Sequence, residues 1–337
     1  MTRTAAQAEH NLGFHLHLHN RVEEAEPFYR RAVGLDPEFK EAWMNLGLAV
    51  LAQKRPDEAL ACQRAALRLD PDNADAQNNL GMAHYARGHI AEAENCFRAA
   101  LRMRPDHANA TLNLGSTRQI LNHVADAEAL FRRALTLGVD PGRGNSNLAL
   151  ALLEQGRTEE AERCLRDALA DRPTYAEARA NLALTLLMTG RLEEGWRAYE
   201  SRWEVEAMGG PAPVLAQPRW TGQALNGETV LLYAEQGFGD TLQFCRYAPM
   251  AAAAGGRVVL VVPKALRRIM MTLDGVAEVL TEEDGVPAGS FAYHCPLLSL
   301  PFAFGTSMET IPGAVPYLRG DPTPWAEFLD RLPGLKV

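Results

Sequence analysis

Asn45-Leu46-Gly47 is written again as Asn79-Leu80-Gly81 and as Asn113-Leu114-Gly115, each 34 residues after the last. The same phase carries Asn11-Leu12-Gly13 before them and Asn147-Leu148-Ala149 and Asn181-Leu182-Ala183 after them. A fixed period of this length predicts a solenoid, in which each unit buries its apolar face against the next. Packing explains the leucine and the small residue. It does not explain the asparagine, which is a middling helix former and costly to bury unpaired.

With Ala6, Lys40, Ala74, Ala108, Gly142 and Ala176 as first positions, each unit reads as two helices joined by a turn. The eighth position is Gly13, Gly47, Gly81, Gly115, Ala149 or Ala183, and the twentieth is Ala25, Ala59, Ala93, Ala127, Ala161 or Gly195. Small side chains there let paired helices approach, and large ones such as Leu46, Val50, Phe97, Phe131, Tyr29 and Tyr199 fill the space between them. Pro37, Pro71, Pro105 and Pro173 stop the second helix of their units, and Asp or Asn nearby can cap the helix that follows.

Composition bounds the rest. A hydrophobic share of 47 % with 23 % charged residues is that of a folded protein. The net charge of −8 shows no basic stripe to pair with phosphates, which argues against a nucleic-acid partner. Cys62, Cys96, Cys164, Cys245 and Cys295 form no CxxC pair, and three share one repeat phase, so free packing thiols are expected. Neither a signal-peptide core nor a membrane span is legible, so the expected location is cytoplasmic. His15, His17 and His19 include a pair one helical turn apart, but no carboxylate or thiol nearby in sequence completes a set, and no metal site is expected.

The repeats resemble the tetratricopeptide repeat, down to Trp43-x2-Leu46-Gly47 with Ala59 and Pro71 in the second unit. The likeness covers about residues 6–206, and the fold class expected there is an α-solenoid of six helix-turn-helix units. Arg202, where other units carry Ala32, Ala66, Ala100, Ala134 and Ala168, marks the end of the stack. The resemblance implies that first helices line the concave surface, so that Asn11, Asn45, Asn79, Asn113, Asn147 and Asn181 form a ladder along it, as in the protein O-GlcNAc transferases. Each amide offers an acceptor and donors, as does the backbone of an extended peptide. Two readings stand open: the ladder grips a peptide, or each Asn bonds the neighbouring unit. Phe14, Met44, Leu48, Met82, Tyr85 and Leu150 add apolar neighbours.

After Trp203 the helical period fades, and residues 207–226 read as a Pro- and Gly-rich connector. Residues 227–337 then alternate strands (229–234, 257–262, 277–280, 291–295) with helices (239–254, 265–273, 325–332), which predicts parallel pairing in an α/β domain. The loop after the first strand, Glu235-Gln236-Gly237-Phe238-Gly239-Asp240, has glycines for close backbone approach and a helix start that suits an anion. Leu242 stands where a dinucleotide fingerprint needs its third glycine, so a nicotinamide cofactor is disfavoured.

The run Trp220, Glu235 to Phe244, Tyr293 to Pro301 and Pro316-Tyr317-Leu318 resembles bacterial proteins that fuse tetratricopeptide repeats to a GT-B glycosyltransferase. These are heptosyltransferase-like and include flagellin glycosyltransferases. That likeness implies a Rossmann-like domain forming the acceptor-side half of GT-B, with the second Rossmann lobe absent from this chain. It implies Asp240 as the base of an inverting transfer, with Glu235, Gln236, Gly237, Gly239 and Gln243 as the acceptor and phosphate loop. The competing role for Asp240 is a helix N-cap. A nucleotide-sugar would be the donor in a longer enzyme and no cofactor is expected on this chain, which leaves the enzyme question open. The expected function is recruitment of a polypeptide, such as flagellin, for glycosylation; the alternative is a non-catalytic adaptor.

Overall fold

The computed structural model describes residues 2–205, 208, 210–285 and 289–320. The chain divides into two compact units, Met1–Ala178 and Arg179–Val337.

The first unit is five helical hairpins. They are α1 (Thr2–Leu18) with α2 (Val22–Leu35), α3 (Lys40–Ala52) with α4 (Pro56–Leu69), α5 (Ala74–Ala86) with α6 (Ile90–Met103), α7 (Ala108–Ile120) with α8 (Val124–Thr136), and α9 (Pro141–Glu154) with α10 (Thr158–Asp171). Successive first helices adjoin one another, and each second helix packs on the first helix of the next hairpin. Glycine at the eighth position sets the approach inside a hairpin: a methyl group on Gly81 would lie 2.6 Å from the Phe97 ring. Ala25, Ala59, Ala93, Ala127 and Ala161 are fully buried on the opposing helix. Asn73 caps α5 by accepting from the amide of Ala76 at 2.9 Å, and Asp140 caps α9 from Arg143 at the same distance. Pro141 occupies the first turn of α9, where a missing amide costs nothing.

Between a second helix and the turn of the next hairpin one ion network occurs twice, three repeats apart. Glu26 is held by Arg30, Arg55 and Gln53, and Glu128 by Arg132, Arg157 and Gln155.

The second unit contains most of α11 (Ala176–Met188), then α12 (Leu192–Tyr199), and a parallel sheet. Its strands are β1 (Thr229–Tyr233), β2 (Arg257–Val262), β3 (Val276–Thr281) and β4 (Tyr293–Pro296), in the order β3-β2-β1-β4. Thr229 to Tyr233 align with Arg257 to Val261 on one side, and Val230 to Tyr233 with Tyr293 to Pro296 on the other. Val230, Leu232, Val258, Leu260 and Cys295 are fully covered, as central parallel strands require. Helix α13 (Phe238–Phe244) follows β1, and α14 (Ala248–Ala253) leads to β2. The helix expected over 265–273 is short, α15 (Arg267–Met270), and α16 (Leu300–Ala303) follows β4. The helix expected at 325–332 lies outside the described residues.

The division falls before the end of the sixth hairpin because that hairpin's second helix packs into the α/β core. The Trp196 ring meets Phe244 edge-on at 5.5 Å, and Tyr199 belongs to the same buried cluster as Val230 and Leu232. Part of the expected connector is also docked. Trp220 is buried against Phe304, its amide bonds the His294 carbonyl at 2.8 Å, and Leu225 bonds Ala254.

Candidate functional site

In the first unit the first helices place the asparagine column on one face. Asn11 is exposed and accepts from Gln7 of its own helix at 2.8 Å. Asn45, Asn113 and Asn147 are half-buried, and each spends one amide donor on the hairpin before it. Asn45 Nδ2 meets His10 Nε2 at 2.8 Å, Asn113 Nδ2 meets Asn78 Oδ1 at 2.9 Å, and Asn147 Nδ2 meets Ser116 Oγ at 3.4 Å. Asn79 is buried, and its oxygen accepts from Asn78 at 3.3 Å. Among the described residues the side-chain oxygens of Asn45, Asn113 and Asn147 carry no partner, so these amides stitch the stack with one donor and keep an acceptor uncommitted. Asn181 lies in the second unit, where its carbonyl accepts from Thr185 at 2.8 Å.

The partners His10 and Asn78, which sequence reading missed, both stand at the fifth position of their units, immediately before the asparagine. A signal was present: the fifth position is polar in alternate units, as His10, Asn78 and Ser146.

On the same face a pocket of about 310 Å³ is lined by Leu51, Met82, Tyr85, Phe97, Asn113, Ser116 and Arg143. Four of the five first helices contribute to it. The phenol of Tyr85 is held above its usual range by burial.

The loop after β1 sits at the switch point of the sheet, between β1 and β4, where ligands of open α/β sheets bind. Here the end of the preceding helix fills it. Arg202, with no exposed surface, donates to Glu235 at 2.8 and 3.1 Å and to Ser299 at 2.7 Å, and Glu235 also accepts from the Leu298 amide at 3.1 Å. Burial lifts the Glu235 carboxyl above its usual range, against the pull of Arg202. Glu235 thus ties the ends of β1 and β4 to the chain around Arg202.

Gln236 adopts a left-handed conformation (φ 59°), and its amide reaches Tyr199 and the Met208 carbonyl, both at 3.3 Å. Gly237 and Gly239 are exposed, with open space beside Gly239. Asp240 accepts from the Gly237 amide at 3.2 Å, a cap-type bond that leaves its other oxygen uncommitted. Gln243 is exposed at the edge of an apolar pocket of about 350 Å³ lined by Leu187, Trp196, Phe244 and Tyr247.

His19 Nδ1 meets the His15 carbonyl at 2.8 Å, and among the described residues no group of His, Cys, Asp or Glu is arranged to hold a metal. No helix among them is long and apolar enough to cross a membrane.

Stacked hairpins with a polar column and an apolar pocket on one face define a helical-repeat protein built for protein–protein contact. The tetratricopeptide repeat model matches residues 18–74, 78–142 and 146–211, more than half of the chain, and the chain belongs to that family. It is similar to TTC0263, a thermophilic TPR protein of Thermus thermophilus, at 26 % identity and a TM-score of 0.50, over 54 % of this chain and 100 % of that one. PilW, a widely conserved type IV pilus biogenesis factor, aligns at 21 % identity and a TM-score of 0.51, over 60 % of this chain and 92 % of its own. Cut9–Hcn1 of the APC/C aligns at 19 % identity and a TM-score of 0.55, over 60 % of this chain and 40 % of that one. At these identities the last two likenesses concern the fold. In sequence, 62 residues are 37 % identical to Protein FlbA of Caulobacter vibrioides, covering 18 % of this chain and 10 % of FlbA.

Proposed function

We propose that the first-helix face binds an extended polypeptide, and that the α/β unit belongs to glycosyl-transfer machinery that acts on the bound chain. What carries the binding reading is the uncommitted carboxamide oxygen on Asn45, Asn113 and Asn147 after each has spent a donor on the stack. An extended peptide offers amide hydrogens to such a row largely without regard to its sequence.

What supports the second part is the parallel sheet, with Gly239 and Asp240 in the loop beyond its switch point and one Asp240 oxygen free to take an acceptor proton. Glu235, consumed by Arg202, is a positioning residue in this reading. A flagellin-like polypeptide is the candidate partner and a nucleotide-sugar the candidate donor. The alternative is a non-catalytic adaptor, favoured by the filling of the switch point by Arg202.

The binding test replaces Asn147 by Ala, the one of these three whose bond to the stack is longest. Polypeptide affinity falls while the melting temperature stays within a few degrees; unchanged affinity sinks the ladder. For transfer, the chain is incubated with flagellin and nucleotide-sugars and the intact mass is read. Added sugar mass that disappears with Asp240→Asn supports catalysis, and unmodified but bound flagellin supports the adaptor.

A further inference from the structure

We infer that the first-helix face is not indifferent to sequence: it selects a polypeptide segment in which an aromatic side chain is followed closely by a carboxylate. The inference rests on the peptide-binding reading above and deepens it.

The pocket beside Asn113 has an apolar floor of Leu51, Met82 and Phe97, with Tyr85 at its wall. Its volume of about 310 Å³ is at the lower end of ligand sites, suited to one large side chain rather than a whole cofactor. A thioether and two aromatic rings favour an aromatic guest over an aliphatic one.

Charge supplies the second half. Arg143, contributed by the next first helix, lines the same pocket, is exposed, and makes no ion pair among the described residues. Arg30 and Arg132 on second helices, and Arg55 and Arg157 just before them, are all paired with glutamates. A free guanidinium at the rim of an apolar pocket attracts a carboxylate on the guest chain and repels a cation. The uncommitted oxygen of Asn113, in the same lining, accepts a main-chain amide between the two anchors.

The test pans the immobilised full chain against a library of random twelve-residue peptides and measures recovered peptides by fluorescence anisotropy. Enrichment of Phe, Tyr or Trp with Asp or Glu within three positions is expected. Arg143→Glu turns the acidic preference into a basic one, lowering affinity for the original peptides about fivefold, the scale of one exposed charge pair. Ala86→Trp, at an exposed position on the pocket, removes the aromatic preference while the melting temperature holds. Peptides recovered without the aromatic–acidic pairing, or an Arg143→Glu variant with unchanged preference, overturn this inference alone. Recovery of no peptide overturns the binding reading with it.

Discussion

The guanidinium of Arg202 grips both carboxylate oxygens of Glu235, at 2.8 and 3.1 Å, from a position 33 residues earlier in the chain. The pair sits at the sheet's switch point, and the Arg202 charge also lies over the rings of Tyr199 and Trp203 at 5.0 and 4.5 Å. Three segments therefore meet at one guanidinium: the end of α12 running into Glu200, the end of β1, and the turn after β4.

Removing Glu235 takes the bidentate carboxylate from a fully buried guanidinium and leaves it only Glu200, Ser299 and the Tyr199 carbonyl. Glu235→Gln should lower the stability of the second unit by about 3–5 kcal/mol, read as a shift of its urea transition. The double variant Arg202→Met with Glu235→Leu should recover most of that loss, because well-packed apolar residues can replace a buried pair at little cost. A loss under about 1 kcal/mol for the single variant would show that the pair is not what joins these segments.

The solenoid is legible in the sequence because its signals are periodic. Lys40, Ala74, Ala108 and Ala176, fixed as first positions from one column of Asn-Leu-Gly, are the residues at which α3, α5, α7 and α11 begin. α9 begins one residue earlier, since Pro141 suits a first turn. The bonds between asparagines and neighbouring hairpins are not legible in that way: they join different columns, about 35 residues apart, and a single-column reading sees only one partner. Arg202 stands out as a departure from the alanine phase, but its mate lies in a loop that reads as a ligand site, and burial cannot be inferred from either residue alone. In the connector, proline and glycine outweigh Trp220, whose size is the sign that the segment docks.

Glycine at the eighth position gives a test with opposite signs. Gly81→Ala forces a methyl to 2.6 Å from the Phe97 ring, and Gly115→Ala one to 2.5 Å from Phe131, each an overpacking cost of about 1–3 kcal/mol. Gly34→Ala, in α2 with no atom in the way, should instead stabilise by about 0.5–1 kcal/mol through helix propensity alone. Thermal melts of the three variants separate close packing from a general intolerance of alanine.

The asparagine column is not uniform in what it supports. Asn113→Ala leaves the oxygen of Asn78, which is 4 % exposed, without its donor, and should cost about 1–3 kcal/mol. Asn147→Ala loses only a 3.4 Å contact to half-buried Ser116 and should stay within about 0.5 kcal/mol of the parent. Equal losses at the two sites would mean that the column acts through something other than these individual bonds.

Acidification should weaken the solenoid before any carboxylate titrates. Burial lowers His10, His17, His84 and His107 below their ordinary value of 6.5. As His10 Nε2 faces the amide donor of Asn45 at 2.8 Å, it must be the acceptor, and protonation removes that role. In the window between the depressed folded values and 6.5, the unfolded chain binds more protons than the folded one, so stability rises with pH there. The contribution is complete above 6.5 and is lost as pH falls through that window. Salt-bridged Glu26 and Glu128 are held below the 4.5 of an ordinary glutamate, so their loss begins only at lower pH. Melting temperature should therefore hold above about pH 6.5 in the parent and drop as the pH falls below it, following the histidine range. His10→Gln, which keeps an oxygen acceptor for Asn45 and cannot titrate, should flatten part of that slope, and substituting all four should remove most of it. A melting temperature that holds or rises on acidification would refute the assignment of neutral, partly buried histidines to the stack.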